Sequence, residues 1–511
     1  MMAVLSALLL FALVLVEQGI QTAAVKPKKN VLLIFADDAG FLQSAYNNSV
    51  CDTPNLDHLA TRSVVINRGY TSVSSCSPSR SVLLTGLPQH QNGMYGLQHS
   101  VHHFQSFPNV KSLPVILRNN GVYTGIIGKY HVAPRSVYDF DYFKTGPINQ
   151  VGRNITHMKE LVKVFLDNAK QKDTPFFLYI AFFDTHRGSW SEQDRKQNGP
   201  FYNLWGDGQQ GHGSIPDWKP HVYDPNKVIV PYFLPDTPAT REDLSAMYTS
   251  FNRMDQGIGL IMEELKAAGY LDDTLVMFTA DNGIPFPNAK TNLYEPGQGE
   301  PMMISSPEHK ENWGKKSDRF GSTMDFTPTI LDWFGVSYPK YDLNGVQARL
   351  TGKSLLKLAA NPTDPSFDHA FSSHDFHEVT MAYPMRVVRN ERYRLIHNIN
   401  YRAAYPLATD LYSCPTYQDI LHRSKTGQPT HWFKTLDQYY YRAEWELYDL
   451  QADPKELTNL ANDPDHQEIF QAMNKTLFEW QTETNDYWRC LPHSILLGQQ
   501  CHDMQNHEKI Y

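Results

Sequence analysis

Beyond its first 24 residues this 511-residue chain has no apolar run of about 18 residues, the length needed to cross a bilayer, so the mature protein is expected to be soluble. It also lacks a long Lys/Arg-rich run, and a formal charge of -8 argues against a strongly basic nucleic-acid binder. A polyanionic substrate would therefore need a local basic pocket. Five cysteines are too few for disulfides to hold a chain of this size together, even in an oxidising compartment. Internal repeats and low-complexity segments are missing, so neither a solenoid nor a long disordered tail is expected.

What is present describes an ordered globular protein, with 12% aromatic and 20% charged residues. The length exceeds what one hydrophobic core usually organises and predicts two domains, placed at residues 25–380 and 381–511. Residues 4–16 are almost uninterrupted apolar sequence, followed by Glu17-Gln18 and the small residues around Thr22-Ala23-Ala24. That pattern reads as a signal peptide over residues 1–24, without the usual leading Lys or Arg. Sequons at Asn47, Asn154 and Asn474 fit passage through the secretory pathway and are candidate glycosylation sites.

Four strand-like apolar runs each end in polar residues. Residues 30–36 lead into Asp37-Asp38, residues 123–127 into Gly128-Lys129-Tyr130-His131, residues 176–182 into Asp184-Thr185-His186, and residues 274–280 into Asp281-Asn282. Between them, Leu244, Met247, Tyr248, Phe251, Met254, Ile258, Ile261, Met262 and Leu265 are spaced for one apolar helix face that stops at Gly269. Strands alternating with helices predict a mostly parallel sheet covered on both faces, which binds ligands at the carboxyl ends of its strands. Asp37, Asp38, Asp281 and Asn282 are hard oxygen donors without His or Cys, a set suited to calcium or magnesium rather than zinc.

The most specific stretch is Cys76-Ser77-Pro78-Ser79-Arg80, continuing through Ser81-Val82-Leu83-Leu84-Thr85-Gly86. An isolated cysteine is ordinarily a loop or core thiol. Here Pro78, Arg80, Leu83-Leu84 and Thr85-Gly86 occur together, and the stretch resembles the modification signature of the type I sulfatases, as Asp37-Asp38-Ala39-Gly40 resembles part of their metal site. The resemblance implies an alkaline-phosphatase-like α/β fold with a smaller C-terminal domain built on an antiparallel sheet. It implies that a formylglycine-generating enzyme oxidises Cys76 to formylglycine, whose hydrate is the nucleophile. It further implies one calcium ion held by Asp37, Asp38, Asp281, Asn282 and an oxygen of the modified Cys76. By the same resemblance Arg80 stabilises the hydrate or the metal-facing charge, Lys129 and Lys290 neutralise the sulfate oxygens, His131 relays a proton at the nucleophile, and His186 protonates the leaving group. Three departures stand out: Asp184-Thr185-His186 replaces the usual Asp-Pro-His, residues 188–211 diverge and lack the cysteines expected there, and Lys290 stands where relatives carry Arg. With Cys76 set aside, Cys490 and Cys501 are close enough in sequence to close a small loop, leaving Cys51 and Cys414 unassigned.

Residues 45–49, 71–75, 86–96, 281–287 and 377–381 narrow the resemblance to family members that cleave the N-sulfate of terminal glucosamine in heparan sulfate within the lysosome. An O-sulfatase acting on another glycosaminoglycan is the alternative, and a glycan-binding protein would result if Cys76 escaped oxidation. Neither a nucleic-acid nor a membrane partner is expected, and a homodimer is left open. From about Met381 short β-type runs alternate with turns, at residues 386–388, 393–397 and 445–450, before a helical pattern over residues 460–480. Tyr439-Tyr440-Tyr441 reads as core or interface packing rather than a sugar platform.

Overall fold

A computed structural model describes residues 29–146, 148–187, 205 and 214–504. The signal-peptide segment at residues 1–24 and, apart from Trp205, the divergent stretch at residues 188–211 lie outside the described residues. Eight strands form the main sheet: β1 (Asn30–Ala36), β2 (Val64–Tyr70), β3 (Tyr123–Gly128), β4 (Tyr142–Lys144), β5 (Phe176–Ala181), β6 (Thr274–Ala280), β7 (Met302–Ser305) and β8 (Lys316–Ser322). Their spatial order is β4-β3-β5-β1-β6-β7-β2-β8. All pairings are parallel except those of β7 with β6 and β2, so the sheet is mixed, with β7 alone reversed.

The two faces of the sheet explain the unbroken apolar runs. Along β1, Leu32, Ile34 and Ala36 enter one hydrophobic cluster, while Val31, Leu33 and Phe35 enter another on the opposite face. Every residue of β1 and β6 is buried, as expected of central strands covered on both sides. Helices α2 (Ile155–Lys172) and α3 (Pro238–Ala267) cover the first face; α4 (Phe326–Phe334) helps cover the second. Burying each Leu, Ile or Phe contributes roughly 1.5–3 kcal/mol, which makes these layers the main stabilising term. The predicted apolar stripe from Leu244 to Leu265 lies within α3 and is buried except at Met262.

A second sheet, antiparallel and in sequential order, comprises β9 (His369–His374), β10 (Met385–Asn390), β11 (Tyr393–Asn398) and β12 (Trp445–Asp449). The helix expected over residues 460–480 begins later, as α5 (Gln467–Glu483), because the segment before it is held in turns by Asn459 and Asp463 side chains. The aromatic run divides: Tyr439 is fully buried in the cluster with Tyr383 and Tyr405, whereas Tyr441 is exposed. Cys490 and Cys501 form a disulfide, and Cys51, Cys76 and Cys414 are free and buried. Of the sequon asparagines, Asn47 is exposed, but Asn154 caps α2 through its side-chain oxygen and donates its amide to the Ser214 carbonyl. A glycan on Asn154 would have to displace that bond.

Candidate active site

Strands β3, β5, β1 and β6 are consecutive and parallel, so their carboxyl ends open at one edge. Ala36 is paired with Ala280, which sets Asp37-Asp38 beside Asp281-Asn282. Asp38 takes a left-handed φ of 57° and donates its backbone N–H to Asp281 Oδ1 at 2.9 Å, while Asn282 Nδ2 donates to Asp38 Oδ1 at 2.6 Å. Such backbone strain in a non-glycine residue persists only where surrounding bonds enforce it. At the end of β3, Gly128 has a φ of 109°, and a Cβ there would meet the Ala181 carbonyl oxygen at 1.9 Å. Only glycine lets the chain approach β5 closely enough for Lys129 to donate its backbone N–H to Ala181 at 2.7 Å and aim its side chain at Asp37.

Cys76 opens α1 (Cys76–Thr85), a helix in which every residue is buried. Pro78 is tolerated because it falls in the first turn, where backbone N–H groups have no intrahelical partner, and Gly86 ends the helix with a φ of 69°. One turn after Cys76, Arg80 reaches Asp281 Oδ2 through Nε at 3.1 Å and Nη2 at 2.8 Å, with Asp37 Oδ1 at 3.3 Å from Nη2. Burial pushes the Cys76 thiol well above its ordinary pKa, so unmodified it is a protonated thiol and a poor nucleophile.

The cations and histidines close around this sulfur. Lys290 donates to Asp38 Oδ2 at 2.9 Å and Asp410 Oδ2 at 2.7 Å; positive φ at Asn288 and Thr291 folds its loop back over Asp38. Burial opposes the Lys290 charge, but Asp38 and Asp410 outweigh it and hold the ammonium well above its usual range. Burial raises Asp38 to about 6 and Asp281 to about 8, whereas Lys129 and Arg80 overcome burial at Asp37 and keep it ionised. His186 Nδ1 lies 2.7 Å from the Arg187 carbonyl and therefore carries a proton, which leaves Nε2 to accept from Lys290 at 3.2 Å. Burial, with Lys290 and Lys129 nearby, depresses the His186 pKa well below the usual imidazole range. Thr185, which stands where the usual Asp-Pro-His has Pro, donates its hydroxyl to the Asp38 carbonyl at 3.1 Å.

Cys76, His131, His186 and Lys290 line one pocket. Its remaining wall comes from residues to which the sequence assigned no role: Leu97, His99 and His102 from a loop after α1, and His377, Glu378, Thr409 and Asp410 from the C-terminal part. Of these, His377 and Glu378 fall in the stretch 377–381 that narrowed the resemblance, whereas His99, His102 and Asp410 had no sequence signal, since the importance of Asp410 is its ion pair with Lys290. Lys129 is buried with its ammonium paired to Asp37, outside the residues that line this pocket.

The oxygens suit a hard divalent cation. Ligand atoms of Asp37, Cys76 and Asp281 lie within 4.8 Å of one another, as do those of Asp38, Cys76 and His186. Asn282 Oδ1 is buried and accepts no hydrogen bond, while Asp37 Oδ1 is met by Arg80 Nη2 at 3.3 Å. An orphaned acceptor such as Asn282 Oδ1 is costly unless something electropositive meets it. The four residues together thus fit a metal ion with oxygen ligands.

Residues 29–336 match the family model for sulfatases, and residues 288–418 and 410–483 match that for the N-sulphoglucosamine sulphohydrolase C-terminal region. The human N-sulphoglucosamine sulphohydrolase is 53% identical over 485 residues, covering 94% of this chain and 95% of the relative. An ulvan-active sulfatase of Formosa agariphila is 26% identical, over 92% of this chain and 77% of its own. Among solved structures, one in complex with its substrate D-glucosamine-2-N,6-O-disulfate superimposes with a TM-score of 0.62 at 19% identity, covering 90% of this chain and 98% of that one. A phosphonate monoester hydrolase of Agrobacterium radiobacter gives 0.59 at 18%, over 93% and 99%, so the fold itself is shared beyond sulfuryl transfer. With a family model spanning most of the chain and a relative more than half identical along nearly its whole length, the chain belongs to the sulfatase family and is a sulfohydrolase.

Proposed function

We propose that this sulfohydrolase removes the N-sulfate from terminal N-sulfoglucosamine residues of heparan sulfate in the lysosome, using formylglycine made from Cys76 and one calcium ion. The observation that carries this reading is the 53% identity to the human N-sulphoglucosamine sulphohydrolase, which extends over the C-terminal part that supplies His377, Glu378, Thr409 and Asp410 to the pocket. Asp37, Asp38, Asp281 and Asn282 hold the calcium, which when bound polarises the sulfate and the nucleophilic oxygen of residue 76.

The chain's own groups supply the rest. Arg80 fixes Asp281 and Asp37 in place, and Lys129 neutralises Asp37. Lys290 faces the pocket and meets the sulfate oxygens as the S–N bond breaks. His131 takes the proton of the attacking oxygen. His186 delivers a proton to the departing nitrogen, since an unprotonated amine is a very poor leaving group. At rest His186 presents a lone pair to Lys290; an incoming sulfate adds the negative charge that raises its pKa and loads that nitrogen. Loss of the proton of the second hydroxyl on residue 76 then breaks the bond from its carbon to the sulfated oxygen, releasing sulfate and the aldehyde, which water rehydrates.

A panel of N-sulfated and O-sulfated glucosamines, with peptide mass spectrometry over Cys76, tests the assignment. Turnover of N-sulfoglucosamine at least about a hundredfold above the 6-O-sulfate, with aldehyde at residue 76, is expected. Preference for an O-sulfate would replace the reading with that of an O-sulfatase, and an unoxidised Cys76 in active protein would end the formylglycine assignment.

A further inference from the structure

At the rim of the pocket His99 Nδ1 lies 2.7 Å from His131 Nε2, with the ring centroids 4.9 Å apart. Exactly one proton can sit between these two nitrogens, so the pair has two neutral arrangements. In one, His131 donates from Nε2 and its Nδ1 is a bare lone pair. In the other, His99 donates and His131 carries its proton on Nδ1. His131 Nδ1 is enclosed and has no hydrogen-bond partner. A stranded N–H is rarer and costlier than a stranded acceptor, which selects the first arrangement. Enclosure of the ring, together with Lys129, His99 and Arg80, keeps His131 neutral, so a single tautomer is at issue.

The His99 ring is itself supported. His102 stands edge-on to it at 5.2 Å, and His102 Nδ1 accepts the backbone N–H of Val379 at 3.1 Å, which fixes the tautomer of His102 as the Nε2-protonated form. The support comes from the C-terminal part of the chain, whereas His131 stands at the end of β3 with a left-handed φ of 48°.

We propose that His99 is a positioning residue: by accepting the Nε2 proton of His131 it holds that ring in the tautomer whose enclosed Nδ1 is the unprotonated nitrogen. The inference rests on the proposed role of His131 at residue 76, but its test does not depend on turnover alone. In the holoenzyme labelled with 15N-histidine, the His131 ring, assigned by loss of its signals in His131→Gln, is expected to show an unprotonated Nδ1 and a protonated Nε2. His99→Leu, which keeps bulk but removes the acceptor, should mix the two tautomers and lower kcat on N-sulfoglucosamine by about tenfold or more with little change in KM. His99→Gln, whose amide oxygen can accept the same proton, should recover most of that loss. A protonated Nδ1 in the wild-type protein, or equal losses in the Leu and Gln variants, would overturn the proposal. If N-sulfoglucosamine is not turned over at all, the proposed substrate fails, while the nitrogen shifts still decide the tautomer.

Discussion

Cys76 and Arg80 show how much chemistry one helical turn can carry. Cys76→Ser should fold and be secreted like the wild type, since it replaces one small buried group by another, but lose turnover by several orders of magnitude, because a single hydroxyl cannot do what an aldehyde hydrate does. Steady-state rates on N-sulfoglucosamine beside a thermal melt of both proteins test this; wild-type turnover in the serine variant would remove residue 76 from the chemistry. His186→Ala separates acid catalysis from mere packing. Its kcat/KM should fall by about 10²–10⁴ on the sulfamate, whose amine needs a proton, and by at least tenfold less on an activated aryl sulfate, whose phenolate does not. Equal losses on the two substrates would assign His186 to binding. The residues in these tests were legible in the sequence because each follows a buried strand or sits in a dense motif. Asp410 and His99 were not, for their roles are contacts made across 120 and 32 residues of sequence and leave no local pattern.

Strands β1 and β6 were legible end to end, because burial on both faces writes a continuous apolar run. Strand β8 was not: Lys316, Ser317, Asp318 and Arg319 mix charge with backbone pairing at a sheet edge, where side-chain chemistry no longer reports the strand. Short β7 was hidden too, and with it the one reversed direction in the sheet. Beyond β8, the turn Thr323–Asp325 carries a capping box in which Asp325 accepts from the Ser322 N–H at 2.8 Å and the Lys353 N–H at 2.7 Å, just before α4. Burial raises Asp325 to about 6 despite these bonds. Its folded pKa thus exceeds the unfolded value near 3.9, so its protonation-linked stability is fully present below about pH 4 and lost as pH rises through about 6. Asp325→Asn cannot titrate. The variant should therefore be clearly less stable than wild type at pH 4, and that deficit should shrink by up to about 3 kcal/mol by pH 7. Chemical denaturation at the two pH values measures it, and a deficit independent of pH would show that Asp325 is not protonated in the folded acid form.

For the whole molecule, the sequence suggested a catalytic domain over residues 25–380 and a separate smaller one after it, yet the hydrophobic clusters cross that boundary. Val73 and Val82, on either side of Cys76, share a cluster with Leu395, Leu447, Leu477 and Trp480. Leu293 and Tyr294 share another with Tyr383, Tyr405 and Tyr439. Polar contacts reinforce the join: Arg442 donates to Asn292 Oδ1 at 2.6 Å, Tyr405 to the Thr291 carbonyl at 2.7 Å, and Lys290 to Asp410. These contacts hold both the catalytic helix and the loop that aims Lys290, so the site depends on the C-terminal sheet rather than merely lying next to it. A chain ending at residue 380 would expose the apolar faces of Val73, Val82, Leu293 and Tyr294 and leave Lys290 without one of its two carboxylates. It should accumulate in inclusion bodies or as a dye-binding, loosely packed state, whereas the full chain should unfold in one calorimetric transition with no earlier melting of the C-terminal part. A soluble 25–380 fragment with a cooperative melt of its own, or two separate transitions in the full chain, would mean that the two parts fold independently and that the shared clusters are docking contacts rather than a common core.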